Sequence, residues 1–184
     1  MEKVLIIASD NHGRDRHLKE MVARHETEAD FFIHCGDSTF DYHDELMRRF
    51  VRVRGNHDRG SGYEEFKTLT IPAFGDVLVI HGHRDYVYVY TKMIVEKAKK
   101  MPNVRIVCYG HTHINDMKMV GDLLVLNPGS IEAPRDRRGL PTYIKLTIRA
   151  HHYEVELFRA DDGRVIETRK FEKAVSSDNY RHSI

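Results

Sequence analysis

Apolar, largely β-branched runs recur along the chain at Val4 to Ala8, Phe31 to Cys35, Phe50 to Val53, Val77 to Ile80, Arg105 to Tyr109 and Leu123 to Leu126. Runs this short with almost no polar alternation predict strands buried on both faces. Between them, Asp15 to His25, Tyr42 to Arg49 and Tyr86 to Met101 carry apolar residues three and four apart, as in Leu18, Met21 and Val22, which predicts helices. The order β-α-β-α-β in the first half argues an α/β layered fold. From Thr68 onward, strand-like segments follow one another closely. Gly75-Asp76, Gly121-Asp122 and Asp162-Gly163 mark turns between them, which predicts hairpins and antiparallel pairing. Two packed sheets with helices outside satisfy both halves. The segment Thr142 to Lys173 reads as further strands without a chemical signature, serving as a sheet edge, a homodimer surface or both. No repeat or linker divides residues 1–184, which read as one domain with a polar tail over 174–184.

Composition narrows the class. The 184 residues include 41% hydrophobic and 31% charged, ordinary for a globular protein and too apolar for a disordered one. The formal charge of +1 supplies no global field to attract nucleic acid or an anionic membrane, so any anion selectivity must be local. Cys35 and Cys108 form neither a C-x-x-C pair nor a disulfide framework and read as buried hydrophobes in a reducing compartment. The apolar run after Met1 ends at Ser9-Asp10 without a cleavage pattern, and no stretch approaches the roughly 20 apolar residues that span a bilayer. The expectation is cytoplasmic.

The 13 histidines become informative through their positions. Five predicted strands are each followed at once by a polar block: Asp10-Asn11-His12, Gly36-Asp37, Gly55-Asn56-His57-Asp58, His81-Gly82-His83, and Gly110-His111-Thr112-His113. An α/β sheet presents its ligand-binding edge at such positions. In an extended segment Asp10 and His12 would alternate and point the same way. Taken singly, each block is ordinary turn chemistry, and a lone histidine is usually hydrogen-bonded structure. Turn chemistry does not demand so many histidines at one sheet edge, so the joint pattern favours metal ligation. Mixed imidazole and carboxylate donors suit Mn, Fe, Zn, Ni or Co and would be wasted on an all-oxygen Mg or Ca site.

In this order the blocks resemble the signature of the calcineurin-like metallophosphoesterases: D-x-H, G-D, G-N-H-D/E, an isolated His, and G-H-x-H. The size, the lack of a cap domain, and Asn127-Pro128-Gly129-Ser130 followed by Pro134-Arg135 resemble the small prokaryotic YfcE-like phosphodiesterase branch. The resemblance implies a four-layer α/β/β/α sandwich of two mixed sheets flanked by helices. It implies one divalent metal on Asp10, His12, Asp37 and His113, and a second on Asp37, Asn56, His81 and His111, with Asp37 bridging. It also implies that His57 is the general acid, reaching the leaving-group or a phosphoryl oxygen, and Asp58 beside it could orient and protonate it. His83 is read as supporting or structural, and His17, His25, His34, His43, His151, His152 and His182 as structural or surface. Asn11 departs from the small or apolar residue common at its place.

Two ions roughly 3.5 to 4 Å apart can share a hydroxide aimed at phosphorus while binding the nonbridging oxygens. Two metals, two aspartates and a hydroxide leave a net positive site that attracts diester and monoester alike. A monoester specialist would add fixed cations; Arg14, Arg59, Arg84, Arg135, Arg137 and Arg138 lie near the blocks but read equally well as solvated loop charges. The leading expectation is a Mn-dependent phosphodiesterase acting on a small molecule, with nucleic acid disfavoured by charge. A phosphomonoesterase with the same centre and a noncatalytic metal-stabilised interaction scaffold are the alternatives.

Overall fold

The structure, a computed structural model, describes residues 2–85, 87 and 91–173. In chain order the elements are β1 (Lys3–Ala8), α1 (Arg16–His25), β2 (Phe31–His34), β3 (Phe50–Arg52), β4 (Phe66–Ile71), β5 (Gly75–Ile80) and α2 (Lys92–Lys99). They continue with β6 (Val104–Cys108), β7 (Asn115–Val120), β8 (Leu123–Pro128), β9 (Thr142–Ile148), β10 (His152–Arg159) and β11 (Val165–Glu172). Six strands form one sheet in the order β11-β10-β9-β1-β2-β3 and five form the other in the order β4-β5-β6-β8-β7. Both sheets are mixed: β1, β2 and β3 run parallel, as do β5, β6 and β8, and the outer pairings are antiparallel.

The unbroken apolar runs exist because each central strand is covered twice. Leu5, Ile7 and Ile33 face Val77, Val79, Ile106 and Leu124 across the space between the sheets. Their neighbours point outward: Val4, Ile6 and Ala8 meet Leu18, Met21 and Val22 of α1, while Leu78, Ile80 and Val107 meet Ile94, Val95 and Ala98 of α2. Burying a Leu or Met such as Leu18 or Met21 contributes about 2 kcal/mol each, so each helix is clamped by a short apolar stripe. The result is the four-layer α/β/β/α sandwich, with one helix on each outer face.

The predicted hairpins form at β4–β5, β7–β8 and β10–β11, and β11 is a sheet edge. The helix expected over Tyr42 to Arg49 is a correction: only Met47–Arg49 is helical, as one 3₁₀ turn. Asp41 Oδ1 accepts the His43 amide, and Asp44 Oδ1 accepts those of Leu46 and Met47. These carboxylates occupy amides that a longer helix needs. Of the helix expected over Tyr86 to Met101, Lys92–Lys99 forms; residues 86 and 88–90, like the tail at 174–184, lie outside the described residues. No described helix is long and apolar enough to cross a membrane.

Candidate metal centre

The parallel strands of both sheets deliver their following loops to one edge. The loops after β1 and β2 run together, with Asp10 N–H donating to Gly36 O at 3.1 Å and His12 N–H to Asp37 O at 3.1 Å. The loops after β5 and β6 are joined by Gly110 N–H to His81 O at 3.2 Å. Two glycines permit these loops to close on one another, Gly55 within one sheet and Gly110 across the two. A Cβ on Gly55 would stand 2.0 Å from Asp37 Oδ1, and one on Gly110 would stand 2.1 Å from Ser9 Oγ.

The backbone at this edge is unusual. Asp10, His12, Asp37, His111 and His113 all have positive φ, between 47° and 71°, and only Thr39 and Ala73 among the other described non-glycine residues share that feature. Such left-handed positions are uncommon for non-glycine residues, although Asp and His tolerate them better than most, and five of them at one edge mark geometry dictated by a site. The extended reading of Asp10-Asn11-His12 is therefore a correction: both flanking side chains reach the site from left-handed turns. Asn11 is buried beneath it, donating to Arg14 O and accepting from His34 Nε2.

Seven residues anticipated from the sequence meet here. Asp10, His12 and His113 bring donor atoms within 4.8 Å of one another, as do Asp37, His81 and His111. His12, Asp37 and His57 form a third such group between them. Asn56 Oδ1 lies 3.2 Å from His81 Nε2. Two hydrogen bonds fix imidazole orientation: His81 Nδ1 donates to Cys35 O at 2.7 Å and His113 Nδ1 donates to Ala133 O at 2.6 Å. Each Nε2 is thereby turned inward, as ligating histidines are commonly held.

What these atoms face tests whether a metal fits. His12 Nε2 and His113 Nε2 are 3.2 Å apart, and the buried Asp10 Oδ1 has no hydrogen-bond partner, with His113 Nε2 3.3 Å and His81 Nε2 4.0 Å away. Converging lone pairs and an orphaned carboxylate oxygen suit a cation. The nitrogen and oxygen donor set matches a divalent transition metal. Burial opposes charge on His81 and His113, but Asp37 and Asp10 outweigh it and raise both pKa values. Burial likewise opposes ionisation of Asp10 and Asp37, and the adjacent imidazoles reverse it, holding both carboxyls below their ordinary range. Burial lowers the pKa of His12, and burial with the charge of His81 lowers that of His111 to about 4, which favours the neutral, ligating form of both rings.

His57 stands at the solvent side, its side chain 60% exposed and its Nε2 4.0 Å from Asp37 Oδ2. Its amide donates to Asp37 Oδ1 at 2.7 Å. Asp58 does not serve it as expected. The Asp58 carboxylate accepts from the amides of Asp37, Thr39 and Gly55 and from Ser38 Oγ, at 2.6 to 3.1 Å, and so ties two site loops together. His83 packs beside the centre, its ring 5.4 Å from that of His81, and its Nε2 is 4.0 Å from Glu65 Oε2. His34, buried completely, accepts from Gly36 N–H at Nδ1 and donates from Nε2 to Asn11. Sequence reasoning did not assign Ser130 a role; its hydroxyl donates to Asp10 O at 2.7 Å, and Asn127 donates to Gly110 O at 3.0 Å. The Asn127-Pro128-Gly129-Ser130 string was their only signal.

Comparison with known proteins agrees with this geometry. Residues 3–151 match the profile described as "Calcineurin-like phosphoesterase superfamily domain". "Probable metallophosphoesterase YsnB" of Bacillus subtilis is 33% identical over 144 residues, covering 78% of this chain and 83% of its own length. A "Probable metallophosphoesterase" of Mycoplasma pneumoniae is 37% identical over 155 residues, covering 80% and 91%. The crystal structure of a conserved uncharacterized protein from Streptococcus pneumoniae, described as a predicted phosphoesterase, superposes with a TM-score of 0.88 at 26% identity, covering 94% of this chain and 99% of that one. With its sheets, its ligand-rich edge and these relatives in agreement, the chain belongs to the calcineurin-like phosphoesterase superfamily.

Proposed function

We propose that this protein is a phosphodiesterase that works with two divalent ions, Mn foremost, at the joint edge of its two sheets; Fe, Ni, Zn or Co suit the same donors. Asp10, His12, Asp37 and His113 would hold one ion and Asp37, Asn56, His81 and His111 the other, with Asp37 shared. The observation that carries this reading is the convergence of the inward-turned His113 Nε2, His12 Nε2 and the orphaned Asp10 Oδ1 beside the Asp37, His81 and His111 group. When bound, the ions supply an activated water and neutralise phosphoryl charge. Cys35 O and Ala133 O keep His81 and His113 in the ligating tautomer.

His57 is exposed enough to meet substrate and close enough to Asp37 to stand over the reacting phosphoryl group. Its role is to give a proton to the departing oxygen, which a poor alkoxide leaving group requires. Asp58 is a positioning residue that fixes the loops of Asp37 and Gly55. A diester is favoured in that three of the six nearby arginines already face carboxylates, which leaves fewer fixed cations for a dianionic monoester. Arg14 lies 3.7 Å from Glu132, Arg84 3.2 Å from Glu65 and Arg138 2.8 Å from Glu167. The test compares hydrolysis of bis(p-nitrophenyl) phosphate and p-nitrophenyl phosphate by Mn-loaded protein, with and without chelator. Chelator-sensitive turnover preferring the diester is expected; a strong monoester preference, or turnover that survives chelation, would overturn the reading.

A further inference from the structure

Beside the centre lies an open depression of about 550 Å³, lined by Thr39, Phe40, Asp41, His57, Arg59 and Gly60. His57 is a shared wall: it lines this hollow and also brings a ring nitrogen to the His12 and Asp37 group. A group whose oxygen is protonated by His57 therefore extends into the depression. We infer that this hollow receives the leaving arm of the diester and selects uncharged arms with a broad apolar face. This rests on the phosphodiesterase reading, with His57 at the leaving oxygen.

The hollow is built before any ligand arrives. Thr39 is β-branched yet has φ +59°, an outlier that carries no candidate metal ligand. Asp58 Oδ1 holds its amide at 2.6 Å, and on its other side a Cβ at Gly13 would meet Thr39 Oγ1 at 2.9 Å. The buried Tyr63 hydroxyl donates to Phe40 O at 3.2 Å, and the Arg52 guanidinium donates to Tyr42 O while lying 4.3 Å from the Tyr42 ring centre. Strain held by this many partners marks a surface whose shape is used. Phe40 is partly buried against the core beneath α1 and also lines the hollow. Asp41 and Arg59 bring opposite charges to the lining, and neither pairs with a charged group among the described residues, although Asp41 Oδ1 accepts the His43 amide. A lining that pairs two opposite charges with Phe40 and the His57 ring suits a neutral arm that offers hydrogen bonds and a flat face.

The test uses Mn-loaded protein and diesters that share a retained methyl arm and differ only in the arm that leaves. Phe40→Ala is expected to lower the kcat/KM ratio of methyl p-nitrophenyl phosphate to methyl trifluoroethyl phosphate about tenfold, the scale of a lost apolar contact. Arg59→Glu, at an exposed position, is expected to shift the ratio of a trimethylammoniophenyl arm to a carboxyphenyl arm about fivefold toward the cation. Both ratios unchanged, with wild-type turnover intact, would overturn the pocket and leave the phosphodiesterase reading standing. A uniform loss for Phe40→Ala on both diesters, with Arg59→Glu neutral, would likewise overturn it. Absence of wild-type turnover on every diester would overturn both.

Discussion

The two halves of the centre are built as near mirror images. One half takes Asp10 and His12 from the loop after β1 and His113 from the loop after β6; the other takes Asp37 from the loop after β2 and His81 and His111 from the loops after β5 and β6. Each half thus draws on both sheets, two residues from one and one from the other. They differ in support. All three residues of the first half sit in left-handed turns, and His12 is partly open to solvent. In the second half His81 has an ordinary φ, is wholly buried, and is tethered to Cys35 O. The first half rests on left-handed turns at all three positions, the second on two such turns, at Asp37 and His111, with His81 held by the core, and only the folded sandwich completes either.

If Asp37 joins the halves, removing its charge should produce the largest effect. Asparagine keeps the shape and tolerates positive φ, so Asp37→Asn is expected to fold, as circular dichroism would check, yet lose about 4 kcal/mol of transition-state stabilisation, roughly a thousandfold in kcat/KM. Near-wild-type turnover would break the comparison at its joint. His57→Ala should separate chemistry from ligation: kcat falls about a hundredfold, while metal content measured by elemental analysis stays at the wild-type level. A matching loss of metal would instead make His57 a ligand.

Asp58→Asn is expected to be milder. Its carboxylate accepts three backbone amides and a hydroxyl, and an amide group there must leave donors unpaired. Metal affinity should fall about tenfold, the scale seen when support behind ligands is lost. An unchanged affinity with a displaced pH–rate profile would restore the idea that Asp58 protonates His57.

A separate effect, on stability and not on turnover, concerns pH and lies beneath the site. Burial pushes the pKa of His34 down to about 4, from an ordinary 6.5. Between those values the unfolded chain holds a proton that the folded one refuses, so stability is full above pH 6.5 and falls as pH drops toward 4. At pH 5 the loss is about 2 kcal/mol. Urea denaturation of chelated protein at pH 7 and pH 5 should show it, and His34→Gln should lower that sensitivity; equal slopes would reject the assignment.

The strands were legible because burial on both faces leaves uninterrupted apolar runs, as in Val4 to Ala8 and Val77 to Ile80. The polar blocks were legible because they follow those runs directly. What could not be read were backbone states and long-range hydrogen bonds. Nothing in the letters of Asp10-Asn11-His12 announces left-handed turns, since neither flanking residue is glycine. Asp58 looked like a partner of adjacent His57, whereas its partners include Asp37, Ser38 and Thr39, about twenty positions away. The helical spacing at Tyr42 to Arg49 was real but lost to the local hydrogen bonds of Asp41 and Asp44.

The central claim, two half-sites joined at Asp37, is tested most directly by calorimetric titration of chelator-stripped protein with Mn. Wild type should take up about two ions per chain, Asp10→Asn about one, and Asp37→Asn bind weakly at both halves. A single ion in wild type whose binding is indifferent to Asp10→Asn, or no binding at all, would contradict it.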